Sequence, residues 1–232
     1  MVEPIAACAV TVAAFAAMRR LSAVLGHPPW ASPVLLAALL IGAGLWAAGI
    51  APAAYVAAAA PLRWLLAPAV VAFAGLIHGN AALIRRQARP LLLAVGGGGL
   101  FGLGIAIGGA RLLGLDGTLG LALTTKTVTA PFVVAIMDRV GGPLGLAAAL
   151  SVLTGVIGAV LVPPLLRALG IRDAGATGLA VGVSSHIVGT DWLTRRDPGA
   201  GALAALALVL VGLLAALLLV PLWPVIAGGP AH

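Results

Sequence analysis

The chain is short of charge. Charged residues are 8% of its 232, against 62% hydrophobic, where soluble domains carry about 25% charged residues. A water-soluble globular domain is excluded. One cysteine, Cys8, leaves no intramolecular disulfide and no cysteine-cluster metal site. The four histidines, His27, His78, His186 and His232, lack the spacing of metal ligands, so no metal and no other cofactor is expected. Aromatic residues are 4%, and no basic run exceeds Arg85-Arg86-Gln87-Ala88-Arg89. The net charge of +7 is therefore not the mark of a nucleic-acid binder. Arginine near helix ends reads instead as topology and as attraction to anionic lipid.

What the chain has is apolar length. The stretches 21–62, 64–84, 90–110, 140–166 and 198–232 carry no charge, and each reaches the roughly 20 residues that cross a bilayer as a helix. The fold class is all-α: a polytopic integral membrane protein. Eight apolar segments are read, at about 4–18, 32–51, 62–83, 90–110, 117–137, 143–166, 174–192 and 200–226. The loops are too short to hold a soluble domain, so 1–232 is expected to form a single transmembrane domain. If each segment spans once, Arg19, Arg20, Arg85, Arg86, Arg89, Arg139, Arg195 and Arg196 share one side. Arg63, Arg111, Arg167 and Arg172 share the other. That bias puts the first group in the cytoplasm and both termini outside. Glu3 precedes the first apolar stretch and Arg19-Arg20 follow it. This is the order of a first helix rather than of a cleaved signal peptide.

Against this background one side chain stands out. All basic residues are arginine except Lys126, and Lys126 lies inside an apolar segment. It is ten residues beyond Asp116, roughly 15 Å along a helix, or half of a hydrocarbon core about 30 Å thick. A charge at that depth costs about 2.5–3.5 kcal/mol on insertion scales and by default marks a functional site. Lysine brings a compact, strongly hydrated point charge where arginine would bring a planar fork.

Two segments do not read as plain spans. Segment 117–137 carries Thr124-Thr125-Lys126-Thr127-Val128-Thr129-Ala130-Pro131, and segment 174–192 carries Gly182-Val183-Ser184-Ser185-His186-Ile187-Val188-Gly189-Thr190-Asp191. Each combines hydroxyls, one basic side chain and a helix breaker. Pro131 lacks an amide hydrogen and obstructs the carbonyl four residues back, while Gly182 and Gly189 are free to leave helical geometry. Broken helices persist in a membrane only where they are buried in protein or line a wet cavity. Transporters place them near the midplane, with half-helix N-termini towards anionic substrates. A third, weaker interruption is read at Pro61, Pro68 and Gly75, before His78-Gly79-Asn80.

The chemistry expected of these residues is anion binding. Lys126 would hold a carboxylate, with hydroxyls of Thr125, Thr127, Thr129, Ser184, Ser185 and Thr190 around it. His186 would donate to the same anion or carry a coupling proton, its ordinary pKa lying near 6.5. Segments 117–137 and 174–192 are expected to meet around one polar cavity. Ser184, Ser185, His186 and Asp191 do not make a hydrolase: no Gly-x-Ser-x-Gly elbow is present, and a triad is defined by spatial roles. No enzymatic activity is expected. Asp191 is a candidate partner for Arg195, and Ser151 reads as a helix-packing hydroxyl. The glycines from Gly96 to Gly109 read as a thin helix face.

Thr125-Lys126-Thr127-Val128-Thr129-Ala130-Pro131 resembles the Pro-Lys-Ser-x-Thr-x-Pro motif of the LrgB/CidB family. Gly178 to Thr190 is similar to that family's Gly-Leu-Ala-x-Gly-x-x-x-His-x-x-Gly-Thr stretch. Gly141-Gly142, Leu153 to Ala159 and Pro163-Pro164 also fit. The likeness is close from about 117 to 220 and weaker over 1–116, where Val70 stands for a family threonine. The resemblance implies two functional pictures. One is a carrier of small monocarboxylates of the pyruvate, glycolate, glycerate and lactate class. The other is an antiholin-like regulator of murein hydrolase activity and cell lysis, acting with a small LrgA/CidA-type membrane partner. Both belong to a bacterial inner membrane, and both leave room for a second copy of the chain. The residues favour the carrier, because a lytic pore has no use for a lysine framed by threonines.

Overall fold

The computed structural model describes residues 3–115 and 117–226. Asp116, from which the depth of Lys126 is counted, and His232 lie outside them. Every regular element among the described residues is helical. The chain divides into two compact units, Met1–Ala72 and Phe73–His232.

The first unit holds α1 (Pro4–Val24), α2 (Pro33–Ala47) and α3 (Pro52–Ala58). Each opens with a proline in its first turn, where a missing N–H breaks no helical hydrogen bond. The Tyr55 hydroxyl of α3 lies 2.6 Å from Thr11 Oγ1 and donates to the Ala7 carbonyl at 3.2 Å, tying α3 to α1. Helices α2 and α3 are bent by 120° across a short break. A 3₁₀ turn, Ala60–Leu65, leads into α4 (Leu66–Gly79).

Helix α4 does not break where the third interruption was expected. It runs through Pro68 and Gly75, and the turn comes at Asn80. Pro68 falls in the first turn of α4, where the backbone N–H groups have no intrahelical acceptor to lose.

The second unit continues with α5 (Ala81–Arg86), α6 (Ala88–Leu92), one π turn (Leu93–Gly98) and α7 (Gly99–Leu112). Then follow α8 (Gly117–Thr124), a 3₁₀ turn (Thr125–Thr127), α9 (Ala130–Val140), α10 (Leu144–Ala168), α11 (Ala174–Thr194) and α12 (Pro198–Ile226). Gly141, at φ 71°, terminates α9, a left-handed conformation that glycine adopts without a Cβ penalty.

Five described helical stretches are long and apolar enough to cross a membrane: Pro4–Val24, Ala60–Gly79, Ala88–Leu112, Leu144–Ala168 and Pro198–Pro224. The bent pair α2–α3 would make a sixth. The other two of the eight sequence segments are the interrupted ones, 117–137 and 174–192. The chain is a multi-pass membrane protein. Large apolar side chains such as Leu112, Leu153, Leu161 and Leu217 are accordingly exposed.

In lipid, helices gain little from hiding apolar surface, so close backbone packing must hold them together. Small residues provide it. A Cβ on Gly178 or Gly182 of α11 would collide with the backbone of Ala200 or Ala204 of α12. Gly212 of α12 leaves room for the ring of Phe132 in α9, which stacks on Phe73 at 5.5 Å. The thin face read between Gly96 and Gly109 is in contact at Gly98, against Val183, and at Gly99, against Leu214 and Val211. It is open at Gly104, Gly108 and Gly109. Gly182→Ala is expected to lower stability by about 1–3 kcal/mol through overpacking. Gly108→Ala should stay within about 0.5 kcal/mol of the parent. Thermal unfolding of both variants in detergent, followed by tryptophan fluorescence, checks the difference.

Candidate functional site

Segment 117–137 is broken. Helix α8 tightens into the 3₁₀ turn Thr125–Thr127, and Val128 (φ −127°, ψ 157°) and Thr129 (φ −77°, ψ 158°) are extended before α9 starts at Ala130. Pro131 lies in the first turn of α9, so it shapes the restart of the helix, one step past the extended pair. Segment 174–192 is broken as well. Helix α11 contains one residue outside helical geometry, His186, at φ 50° and ψ −146°.

The second break is not at Gly182 or Gly189, where glycine's freedom places it from sequence, but at His186. Neither glycine has positive φ. Gly182 is the seam with Ala204, and Gly189 lies against the side chains of Ser185 and Val181. The break falls on His186 because its ring has a partner that glycine lacks. His186 Nε2 donates to the Lys126 carbonyl at 2.8 Å. The two breaks therefore touch, and this bond joins them directly.

Backbone in this region of φ/ψ space costs about 1–3 kcal/mol and persists only where surroundings over-determine it. A buried hydrogen bond returns about 0.5–1.5 kcal/mol net, so the ring bond alone does not hold the conformation. Helix α10 supplies the rest. A Cβ on Gly158 would lie 2.7 Å from both Ser184 O and Ser185 Oγ, and one on Gly155 would lie 3.3 Å from Ser185 O and 3.5 Å from His186 Cδ2. Ser151, one turn before, donates to the Val128 carbonyl at the other break. Ser151, Gly155 and Gly158 thus line one face of α10 against both breaks. Their helical spacing was the available signal, but Ser151 was read only as a packing hydroxyl.

The other expected site residues divide into two groups. Several hydroxyls are engaged with their own helices. Thr125 Oγ1 donates to Ala122 O at 3.1 Å, Thr127 Oγ1 to Thr124 O at 3.4 Å, and Ser184 Oγ to Ala180 O at 2.6 Å. Ser185 Oγ lies 3.1 Å from Ser184 Oγ. Thr127 also borders a void of about 10 Å³ with Gly99 and Leu103, no larger than one water needs. Thr129 is buried at the start of α9.

The second group is unsatisfied. Thr190 Oγ1 is buried with no hydrogen-bond partner among the described residues. Lys126 is half-buried, and among the described residues its ammonium has no hydrogen-bond or ion-pair partner. His186 Nδ1 likewise makes no hydrogen bond among them. Asp191 does pair with Arg195, at 3.0 and 3.1 Å on an exposed surface, and Arg196 covers the ring of Trp192 at 4.5 Å.

Comparison with known proteins gives a consistent frame. The model of the LrgB-like family matches residues 11–225. An uncharacterised Bacillus subtilis protein, YxaC, is 31% identical over 182 residues, covering 78% of each chain. Plastidal glycolate/glycerate translocator 1 of Arabidopsis thaliana is 30% identical over 158 residues, which is 68% of this chain and 31% of that one. Holin-like protein CidB of Staphylococcus epidermidis is 23% identical over 191 residues, 82% of this chain and 83% of its own. No solved structure matches.

The strained residue yields a discriminating pair of variants. His186→Ala and His186→Gly both lose the bond to the Lys126 carbonyl, but only alanine keeps the steric penalty of positive φ. The glycine variant is expected to be more stable by about 1–3 kcal/mol. Equal unfolding midpoints in detergent would show that the backbone at 186 stores no strain.

Proposed function

The chain belongs to the LrgB-like family, and on that premise we propose that it carries small monocarboxylates across a bacterial inner membrane. The substrate class is that of pyruvate, glycolate, glycerate and lactate, and the role is not enzymatic. The observation that supports this reading is the meeting of two helix breaks through the His186–Lys126 bond, beside an ammonium with no partner among the described residues. An unpaired cation in apolar surroundings is costly, and a carboxylate would relieve it. Two further features agree. Helix α9 begins at Ala130, and a helix N-terminus carries partial positive charge. Buried Thr190 Oγ1, without a partner among the described residues, would bond a polar oxygen. The relative whose printed name is a glycolate/glycerate translocator carries out transport of this class.

The second reading is an antiholin-like regulator working with a small membrane partner. It is favoured by the likeness to CidB, which spans most of both chains. It gives no task to the Lys126 ammonium, and for that reason stands second.

Uptake of labelled pyruvate, glycolate, lactate and glycerate into proteoliposomes of the purified chain separates the two. Lys126→Ala is expected to weaken substrate binding by about 2 kcal/mol or more, a roughly 30-fold rise in KM or complete loss, with the protein still monodisperse. Lys126→Arg should recover only part, since a planar fork replaces a point charge. Unchanged flux in folded Lys126→Ala refutes the site. If the isolated wild-type chain moves no carboxylate at all, the regulator reading prevails.

A further inference from the structure

Outside the two breaks, the described residues of the second unit carry a hollow of about 440 Å³ at the turn between α4 and α5. Its lining is Ala74, Ile77, His78, Ala81, Ile84 and Arg85. These positions recur at three- and four-residue intervals, so they form one helical stripe carried through the turn at Asn80. Asn80 Nδ2 donates to the Leu76 carbonyl at 2.9 Å and fixes that turn. The stripe has two kinds of surface. Four side chains are purely apolar. The other two, His78 and Arg85, are exposed, and neither has a hydrogen-bond or ion-pair partner among the described residues.

The hollow sits at the end of an apolar stretch, Ala60–Gly79, that is long enough to span a membrane. Arg85 belongs to the densest cation run of the chain, with Arg86 and Arg89 beside it. Arginine recognises phosphate through a fork of donors, and imidazole adds a further N–H. The apolar part of the stripe has no use for a soluble anion, whereas it suits the glycerol end of an acyl chain.

We propose that this hollow binds an anionic phospholipid. Its phosphodiester is held by Arg85 and His78, and the start of one acyl chain lies along Ala74, Ile77, Ala81 and Ile84. The apolar stretch ends at Gly79, a few residues before Arg85, and Arg85 points the preference to a net negative lipid. A juxtamembrane basic residue is worth about 1 kcal/mol towards such lipids, but Arg86 and Arg89 share that diffuse attraction. Only Arg85 lines the hollow.

The test uses the full chain in phosphatidylcholine nanodiscs, with phosphatidylglycerol titrated in and bound lipid counted by native mass spectrometry. The expected result is retention of phosphatidylglycerol over phosphatidylcholine. Arg85→Gln should weaken that retention more than about ten-fold, because a charge-assisted bond to the phosphodiester is lost on top of the diffuse attraction. His78→Ala should weaken it in the same direction, and Arg86→Gln by about five-fold at most, its diffuse share alone. Equal losses for Arg85→Gln and Arg86→Gln would reduce the effect to diffuse charge and overturn the pocket. Displacement by millimolar inorganic phosphate would overturn the lipid in favour of a soluble anion. Lipid counting involves no flux, so its outcome is independent of whether the chain is a carrier.

Discussion

The hydrogen bond from the His186 ring to the Lys126 carbonyl answers a constraint that governs the whole second unit. A chain that leaves helical geometry in apolar surroundings strands backbone groups that water cannot reach. Here the chain leaves it twice, at Val128–Thr129 and at His186. Each break supplies what the other lacks: one offers a free carbonyl, the other a ring donor. Helix α10 closes the arrangement, with Ser151 on the Val128 carbonyl and glycines thin enough to bring its backbone against Ser184 and Ser185. Packing and polar satisfaction are the same event in this region. Gly155 and Gly158 allow the close approach, and Ser151 on the same face of α10 places its donor beside a stranded acceptor.

Much of this was legible in the sequence, for reasons that differ by residue. The membrane class follows from a near absence of charge over spanning lengths. The break before α9 could be read because Pro131 states it locally. Lys126 was conspicuous because burying a cation is costly wherever it occurs. The break in α11 was misplaced because glycine is the usual carrier of positive φ, whereas His186 takes it through a partner 60 residues away in sequence. The same limit hid Ser151: its acceptor, the Val128 carbonyl, lies at a break in another helix, 23 residues away in sequence. Pro68 misled in the opposite direction, since a proline in the first turn looks like a breaker until the helix start is known. Local chemistry was readable, and pairing across helices was not.

The glycines divide along the same line. Gly155, Gly158, Gly178, Gly182 and Gly212 sit where another chain segment presses against them, and Gly104, Gly108 and Gly109 of α7 face open space. Composition alone does not separate the two groups. Membership of the LrgB-like family spans relatives whose printed names point to transport in one case and to holin-like behaviour in another. Both kinds of protein need helices that pack through small residues, so the framework cannot decide between them. Nζ of Lys126, Nδ1 of His186 and Oγ1 of Thr190, without hydrogen-bond partners among the described residues, are the features that framework packing leaves unexplained.

The atom through which position 126 serves the fold is its carbonyl oxygen, which every amino acid possesses. The ring of His186 would find the same acceptor whatever side chain stood there. Architecture and side-chain chemistry are thus separable at this one residue, and they are fused at His186, where ring and backbone act together. On the carrier proposal, the lysine side chain answers to the transported anion and its backbone answers to the fold.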